Sequence, residues 1–310
     1  MELAVYTQDV PMVPYRDIPV LPRPEEAIPE LQEAGVTAIE AGHSFFIANP
    51  ERVVEENSRM FYQAGIRIWS VYAPFGKDRN LADPDALKRH HAVEHHKFVL
   101  ERVALASASL VVIHPGAYGG EQEVPQMLPL LSDSLEALLP VAERLGVRLA
   151  LKNIVPREPG PGFRALRQAV EKLGSKWLGV CFDTDHAHKG GGVKAGMEIL
   201  KDLIITFHLA DNDGTVQSCM WDHFMQPPYG AVPWNEFLSV WQTMDFSSPV
   251  VVRAIPWAGE GYGHMRREVS ALLRGELMQV EVNGMPTKLR CLRCGHLRFG
   301  TVEDNWCACR

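Results

Sequence analysis

Short aliphatic segments alternate along the chain with helical segments, several of which end at a glycine. The aliphatic segments predict eight strands: Leu3–Tyr6, Ala38–Glu40, Ile66–Tyr72, Leu110–His114, Val147–Lys152, Leu178–Asp183, Ile204–His208 and Val250–Ile255. The predicted helices include Glu25–Ala34, Pro50–Ala64, Asp85–Ala106, Met127–Leu145 and Phe163–Leu173. This alternation is typical of a parallel sheet covered by helices. Eight such units in 310 residues favour an α/β fold of the (β/α)8 type, a TIM barrel, over an open doubly wound sheet.

The alternation stops near Met278, where two strand-like segments, MQVEVNG and TKLRC, lead into a group of cysteines. Four of the six cysteines lie in this last stretch: Cys291, Cys294, Cys307 and Cys309. We therefore predict two domains, a barrel over residues 1–277 and a small tail over residues 278–310.

The spacing of these four cysteines, C-x2-C and then C-x-C, predicts a tetrahedral zinc site. The tail resembles a small zinc ribbon, although its second pair is one residue shorter than the usual C-x2-C. His296 could replace one thiolate, and a chance grouping of cysteines is the alternative. Four thiolates leave no open coordination position for chemistry, so the predicted zinc is structural. It would serve folding, partner binding or subunit contact, which leaves a homo-oligomer open.

Composition and charge narrow the class of protein. A hydrophobic fraction of 46% and a charged fraction of 22% are those of an ordinary globular chain. No apolar segment approaches the length of a membrane span, and the N-terminus lacks the basic residues of a signal peptide. A net charge of −7 argues against a nucleic-acid partner or an anionic membrane surface. These features predict a soluble, cytoplasmic protein.

Polar side chains repeatedly follow the apolar strands at their C-terminal ends. They are His114, Lys152, Asn153, Asp183, His186, His208 and Arg253, and a later loop carries Asp222 and His223. In a (β/α)8 barrel the carboxyl ends of all strands meet at one face, which carries the function. Solvation alone does not require so many polar residues at one rim, so we predict a ligand-binding or catalytic site there.

Several of these segments resemble a known superfamily. IHPG, FDTDHAH, FHLADNDG and YGAVPW occur in this order, and VYAPFGKDRNLADPD follows the third predicted strand. The set is similar to the xylose-isomerase-like TIM barrels, which include sugar phosphate isomerases and epimerases and endonuclease IV-type enzymes. The resemblance covers about the first 275 residues. It implies a TIM barrel with a site at the carboxyl rim, and it does not specify a substrate.

The chain departs from the metal ligands that the resemblance implies. Such barrels hold a divalent metal with a Glu, an Asp, a His and a Glu that end strands five to eight. Asp183 and His208 stand at two of these positions, whereas Lys152 and Arg253 stand at the two Glu positions. Tyr72 stands where a strand-three His is expected. Because Mg²⁺ or Mn²⁺ requires oxygen ligands and negative charge, we expect the shared metal site to be absent or greatly weakened.

Three functional hypotheses follow. In the first, the chain is a sugar phosphate isomerase- or epimerase-like enzyme with altered chemistry, acting on a small polyhydroxy carbonyl compound such as a sugar or sugar acid. In the second, the barrel binds a sugar-like ligand without catalysis. In the third, His186, Asp222 and His223 retain a metal in the barrel, as the resemblance to endonuclease IV-type enzymes suggests. DNA repair is disfavoured by the net charge and by the replaced metal ligands.

The first hypothesis gives each rim residue a role. The predicted catalytic residues are Lys152, Asp183, His186 and His208, and the predicted substrate-binding residues are His114, Asn153, His223 and Arg253. Lys152 would act as a base or Schiff-base nucleophile, with its pKa lowered by a second cation nearby. The alternative for Lys152 is a buried ion pair with Asp183.

One further motif is predicted to be structural. His91, Glu94 and His95 fit the H-x-x-E-H pattern of inverted zincins. They lie on a helix expected in the outer ring of the barrel, so we predict a solvated or interface-facing helix instead.

Overall fold

In the computed structural model of the chain, the described residues are 1–6, 24–73, 76–116, 124–154, 162–212, 214, 226–254, 261–282, 285–291 and 297–299. Asp222, His223, Cys294, Cys307 and Cys309 lie outside them. No helix in this described part is long and apolar enough to cross a membrane.

Eight parallel strands form a closed barrel in chain order. They are β1 (Leu3–Tyr6), β2 (Ala38–Gly42), β3 (Arg67–Tyr72), β4 (Leu110–Ile113), β5 (Arg148–Lys152), β6 (Leu178–Asp183), β7 (Ile204–Leu209) and β8 (Val250–Val252). Strand β1 closes the barrel, since Ala4 pairs with Ala38 on one side and with Val251 on the other. The eight predicted strands are confirmed, with small shifts at their ends. The largest shift is in β8, which ends at Val252 rather than at Ile255.

Helices cover the outside of the barrel. They are α1 (Pro24–Glu33), α2 (His43–Ala48), α3 (Glu51–Gln63), α4 (Ala86–Ala104), α5 (Val124–Leu145), α6 (Phe163–Leu173), α7 (Thr184–Lys189), α8 (Val193–Leu200), α9 (Trp234–Trp241) and α10 (Gly261–Leu273), with a 3-10 turn η1 (Lys77–Arg79). The helices bury one apolar face and expose a polar one. In helix α6, Leu166, Ala169 and Val170 are buried, and Arg167 lies on the outer side. It ends at Gly174, whose left-handed φ of 56° suits glycine.

The alternation of side chains along each strand separates two apolar regions. Leu149 and Leu151 of β5 pack outward against the helices, whereas Ala150 lies in the smaller cluster inside the barrel. Because side chains alternate with a period of two, Lys152 points to the same side as Ala150. Asp183 likewise shares the side of Cys181, which belongs to the inner cluster. Small residues below thus leave space for charged ones at the carboxyl end.

After the barrel, the chain forms a three-stranded antiparallel sheet in the order β11-β10-β9. Its strands are β9 (Leu277–Val282), β10 (Met285–Cys291) and β11 (Leu297–Phe299). The two segments predicted as strands form β9 and β10, and β11 was not predicted. Cys291 ends β10 opposite Leu277. The domain boundary near residue 277 and the zinc site stay predictions.

Candidate active site at the carboxyl rim of the barrel

Eight ionisable or aromatic side chains meet inside the carboxyl end of the barrel. This rim cluster consists of Glu40, Tyr72, His114, Lys152, Asp183, His186, His208 and Arg253, and every member is buried. Neighbouring strands supply these residues, because the barrel brings their carboxyl ends to one place. Six of these residues were predicted from the sequence to converge at the rim. Tyr72 was noted at the position of an expected His, and Glu40 was not assigned a role.

An ion pair lies at the centre of the rim cluster. Lys152 Nζ is 2.9 Å from Asp183 Oδ2, and neither side chain is more than 1% exposed. Arg253 Nη1 lies 3.8 Å from the same carboxylate oxygen. Nζ also lies 3.5 Å from Nε2 of His186. The buried ion pair that was the alternative for Lys152 is present.

The pKa of Lys152 is shifted opposite to the expectation. Burial disfavours its ammonium form, but the Asp183 carboxylate and Tyr72 together outweigh burial and raise the pKa of Lys152 above its ordinary value. The expectation of a lowered lysine pKa, based on a second cation nearby, is therefore wrong. Arg253 does oppose the charge on Lys152, but the Asp183 carboxylate, 2.9 Å from Nζ, has the larger effect.

Asp183 is held in place by backbone and side-chain contacts. Its Oδ1 accepts a hydrogen bond from the backbone N–H of His186 at 3.0 Å, which caps helix α7. Asn153 accepts from the backbone N–H of Asp183 at 2.7 Å and donates to its carbonyl at 3.0 Å. Both amide atoms of Asn153 thus hold β6 in position. Its predicted role in substrate binding stays a prediction, and the contacts described are structural.

Glu40 belongs to the site although the sequence analysis assigned it no role. Its Oε2 is 3.0 Å from Nε2 of His208 and accepts a hydrogen bond from Ser70 at 2.7 Å. His208 Nδ1 lies 3.7 Å from Asp183 Oδ2, so the imidazole stands between two carboxylates. Burial opposes its charge, but its surroundings, including Glu40 and Asp183, raise the pKa of His208 well above its ordinary value. A glutamate that ends the predicted strand Ala38–Glu40 was the available signal for this residue.

Aromatic side chains form one wall of the site. The guanidinium of Arg253 lies 4.3 Å from the centre of the Tyr72 ring and 5.1 Å from that of Tyr6. Tyr72 also forms a hydrogen bond through its hydroxyl with Nε2 of His114. Cation–π contacts of this kind help to fix a guanidinium in place. Tyr72 therefore contacts both Arg253 and His114 within the rim cluster.

Two histidines of the rim cluster are held neutral. Burial, followed by repulsion from Lys152, lowers the pKa of His186 to about 3. The same two causes, in the same order, place the pKa of His114 well below its ordinary value. Both imidazoles can accept or donate hydrogen bonds at neutral pH, but they are weak bases.

The described residues of the rim do not fit a divalent metal. Asp183, Asp185 and His186 have candidate ligand atoms within 4.8 Å of one another. However, each of the three already contacts a lysine. Lys152 contacts Asp183 and His186, and Lys189 Nζ lies 3.4 Å from Asp185 Oδ1. The alternative set of His186 with Asp222 and His223 lies partly outside the described residues, as does the predicted binding residue His223.

One other buried polar group, Asp211, is structural. Asp211 accepts hydrogen bonds from the backbone N–H groups of Asn212, Gly230 and Val232 and from the indole of Trp234 at 2.7 Å. It thereby holds the segment that precedes α9.

The H-x-x-E-H motif on α4 does not form a metal site among the described residues. Glu94 pairs with Lys97 at 2.8 Å, and His91 is exposed. The grouping of acidic and histidine ligands found in this part of the chain is instead at the rim. The prediction of a solvated helix face agrees with this arrangement.

A closed parallel barrel with a charged site at its carboxyl rim defines a class of (β/α)8 proteins. Residues 28–268 match the family model described as "Xylose isomerase-like TIM barrel", so the chain belongs to that family. The resemblance stated from the sequence motifs is confirmed at this level.

Comparisons with individual proteins place the chain among diverse relatives. A probable endonuclease 4 of Acholeplasma laidlawii is 29% identical over 163 residues, covering 51% of this chain and 53% of the relative. An uncharacterised protein of Methanocaldococcus jannaschii is 30% identical over 158 residues, covering 46% of this chain and 51% of the relative. The chain thus spans about half the length of these curated relatives.

Solved structures share the fold at low identity. A D-tagatose 3-epimerase-like protein superposes with a TM-score of 0.71 at 20% identity, covering 88% of this chain and 97% of that protein. The 3-keto-D-glucoside 4-epimerase YcjR from E. coli superposes with a TM-score of 0.67 at 17% identity, covering 87% of this chain and 99% of that protein. At such identities these likenesses show the fold and not the reaction.

Proposed function

We propose that the rim cluster binds a small polyhydroxy carbonyl compound, a sugar or sugar acid, and that the chain is isomerase- or epimerase-like. The buried charge of the cluster carries this proposal. Lys152, Arg253 and the imidazolium of His208 are cationic, and Asp183 and Glu40 are carboxylates. Among the described members, cations therefore outnumber anions by one. Such a site favours a ligand that carries or develops negative charge.

A carbonyl compound that loses a proton beside its carbonyl develops this charge on oxygen. In the proposal, Lys152 and Arg253 face that oxygen and stabilise the enediolate, because both keep their charge at neutral pH and are buried in a site of low dielectric constant. The proton moves from carbon to a neutral imidazole, for which His186 is the candidate. Its return to the neighbouring carbon, while the hydroxyl proton passes to the former carbonyl oxygen, gives the isomer. Structural likeness to sugar epimerases supports the choice of ligand class.

Binding without turnover is the second candidate. The observation that favours it is the low basicity of His186, whose pKa is about 3 because of burial and of Lys152. A base this weak abstracts a carbon-bound proton slowly unless the ligand itself raises the pKa. The same cationic cluster would then serve only to recognise an anionic or polyhydroxy ligand.

Proton exchange distinguishes the two candidates. The chain would be incubated in D2O with a panel of ketoses, aldoses and sugar acids, in the presence of a chelator, while ¹H NMR follows loss of the signal beside the carbonyl. Exchange is expected for the enzyme, and a rise in Tm without exchange for the binding protein. If no compound of the panel exchanges or raises Tm, both candidates fail.

A pair of arginine variants tests the location of the site. Arg253→Met removes a rim cation and should abolish exchange or binding. Arg102→Met is the matched control, since Arg102 is also buried but donates to the carbonyl of Phe46 on α2, outside the rim cluster. Equal loss of ligand response in two folded variants would contradict a site at the rim.

DNA repair is a less favoured alternative despite the probable endonuclease 4 relatives. The chain has a net charge of −7, and the described candidate metal ligands at the rim contact lysines. We therefore expect no incision of duplex DNA with an abasic site. Incision that is abolished by a chelator would reverse this order of hypotheses.

We further propose that Cys291, Cys294, Cys307 and Cys309 bind one structural zinc. The spacing in the sequence supports this proposal. Elemental analysis of the full chain should give one zinc per molecule, and Cys291→Ser with Cys294→Ser should remove it. Zinc that persists at full stoichiometry in this double variant would refute the tail as its site.

A further inference from the structure

We propose that the ammonium group of Lys152 is a built-in substitute for a divalent cation, and that removing it uncovers a metal site formed by Asp183, Asp185 and His186. The family resemblance implies a metal at this rim, and the described residues do not fit one. That disagreement is the starting point. The inference does not depend on which ligand the rim binds, because its readout is metal binding.

The first observation is the position of Nζ relative to the ligand atoms. The ligand atoms of Asp183, Asp185 and His186 lie within 4.8 Å of one another, and all three residues are buried. Lys152 Nζ is 2.9 Å from Asp183 Oδ2 and 3.5 Å from His186 Nε2. One positive charge thus contacts two of the three groups that a metal ion would need.

The second observation is chemical. A carboxylate oxygen and a neutral imidazole nitrogen are ligands of Mn²⁺ and Zn²⁺, and an ammonium group can only donate to them. The Nε2 atom of His186 faces Nζ, so the lysine engages the lone pair that a metal would use. The backbone N–H of His186 also holds the other oxygen of Asp183 at 3.0 Å. Two of the three ligand groups, Asp183 and His186, are therefore already oriented around a cation.

The third observation is how Lys152 is anchored. Lys152 ends β5, Asp183 ends the neighbouring β6, and the lysine side chain is fully buried between them. A cation that is covalently attached to the adjacent strand is present at all metal concentrations. Repulsion from this ammonium would lower the binding constant of a divalent ion placed beside it by a factor of at least about 100, even at an effective dielectric constant of about 20.

Mn²⁺ binding to the full chain tests the proposal. Mn²⁺ suits oxygen and imidazole ligands better than the thiolates of the tail, so it reports on the rim. The binding constant would be measured by EPR of free Mn²⁺ for the wild type, Lys152→Met, Lys152→Arg and Lys189→Met. Lys152→Met should bind one Mn²⁺ with an affinity about 100-fold or more above that of the wild type. Asp183→Asn added to Lys152→Met should remove this gain.

The other two variants are matched controls. Lys152→Arg keeps the charge at the same position, and Lys189→Met removes a second lysine, whose side chain is 4% exposed, while leaving Lys152 in place. Neither should gain Mn²⁺ affinity. A gain in either control equal to that of Lys152→Met would overturn the assignment to the Lys152 ammonium.

Two further measurements concern Mn²⁺ binding by the wild type and an unstable Lys152→Met variant. Stoichiometric, high-affinity Mn²⁺ binding by the wild type would overturn the proposal directly. If Lys152→Met is too unstable to purify, Lys152→Glu supplies an additional ligand in its place. Its Tm should rise with Mn²⁺ concentration, because an ion that binds only the folded state stabilises it. If Mn²⁺ raises the Tm of neither variant, the ammonium does not stand in place of a metal.

Discussion

Removal of the Lys152 ammonium should destabilise the barrel by leaving a carboxylate buried without its nearest cation. In the native structure Nζ and Asp183 Oδ2 are 2.9 Å apart, with exposures of 0% and 1%. Breaking a buried pair on one side costs about 3–5 kcal/mol. Arg253 and His208 remain 3.8 and 3.7 Å from the same oxygen. We therefore expect Lys152→Met to lower the free energy of unfolding by about 3 kcal/mol, near the lower end of this range.

A double-mutant cycle isolates the pair. Asp183→Asn alone leaves the ammonium buried, and we expect a similar loss of about 3 kcal/mol. The double variant removes both charges, so its loss should also be near 3 kcal/mol rather than the additive sum of about 6 kcal/mol. Urea denaturation followed by circular dichroism gives the free energy of unfolding and the m-value of each variant.

An exposed ion pair provides the reference for this cycle. Arg167 and Asp202 are in contact, but their side chains are 30% and 56% exposed. Arg167→Met should therefore change stability much less than Lys152→Met does. The reasoning fails if the losses of Lys152→Met and Asp183→Asn simply add, or if Lys152→Met is as stable as the wild type.

Three further predictions concern other buried groups. Glu40→Gln should lower the pKa of His208, because it removes one of the two carboxylates beside the imidazole, and NMR titration of the imidazole measures this pKa. Burial lowers the folded-state pKa of His96 to about 4, so the unfolded state binds more protons below about pH 6.5. Stability should therefore fall by roughly 2–3 kcal/mol between pH 6.5 and 4, and denaturation of His96→Gln at both pH values should show a smaller fall. Asp211→Asn should cost about 1–3 kcal/mol, since its amide N–H2 group would face N–H donors, and Trp234 fluorescence reports the change. An unchanged His208 titration, an unchanged pH dependence or a fully stable Asp211→Asn would contradict the respective argument.

The amino-acid sequence alone determined the barrel and most of its rim. Strand and helix periodicity depends on neighbours within one element, so β1–β8 could be predicted with small errors at their ends. Alternation along β5 and β6 also places Lys152 and Asp183 on the inner side without knowledge of other strands. The convergence of these residues at one rim follows from the closed parallel barrel itself.

Only the tertiary structure decided how the rim residues are paired. Glu40 and His208 are 168 positions apart in the chain, and no local pattern connects them. The direction of the Lys152 pKa shift was mistaken from the sequence, because it depends on the contact between Nζ and Asp183, which lies on a different strand. Asn153 follows the same strand as Lys152, yet its amide binds the backbone of β6. Electrostatic energies depend on the distance between the charges, and for side chains on different strands only the folded barrel sets that distance.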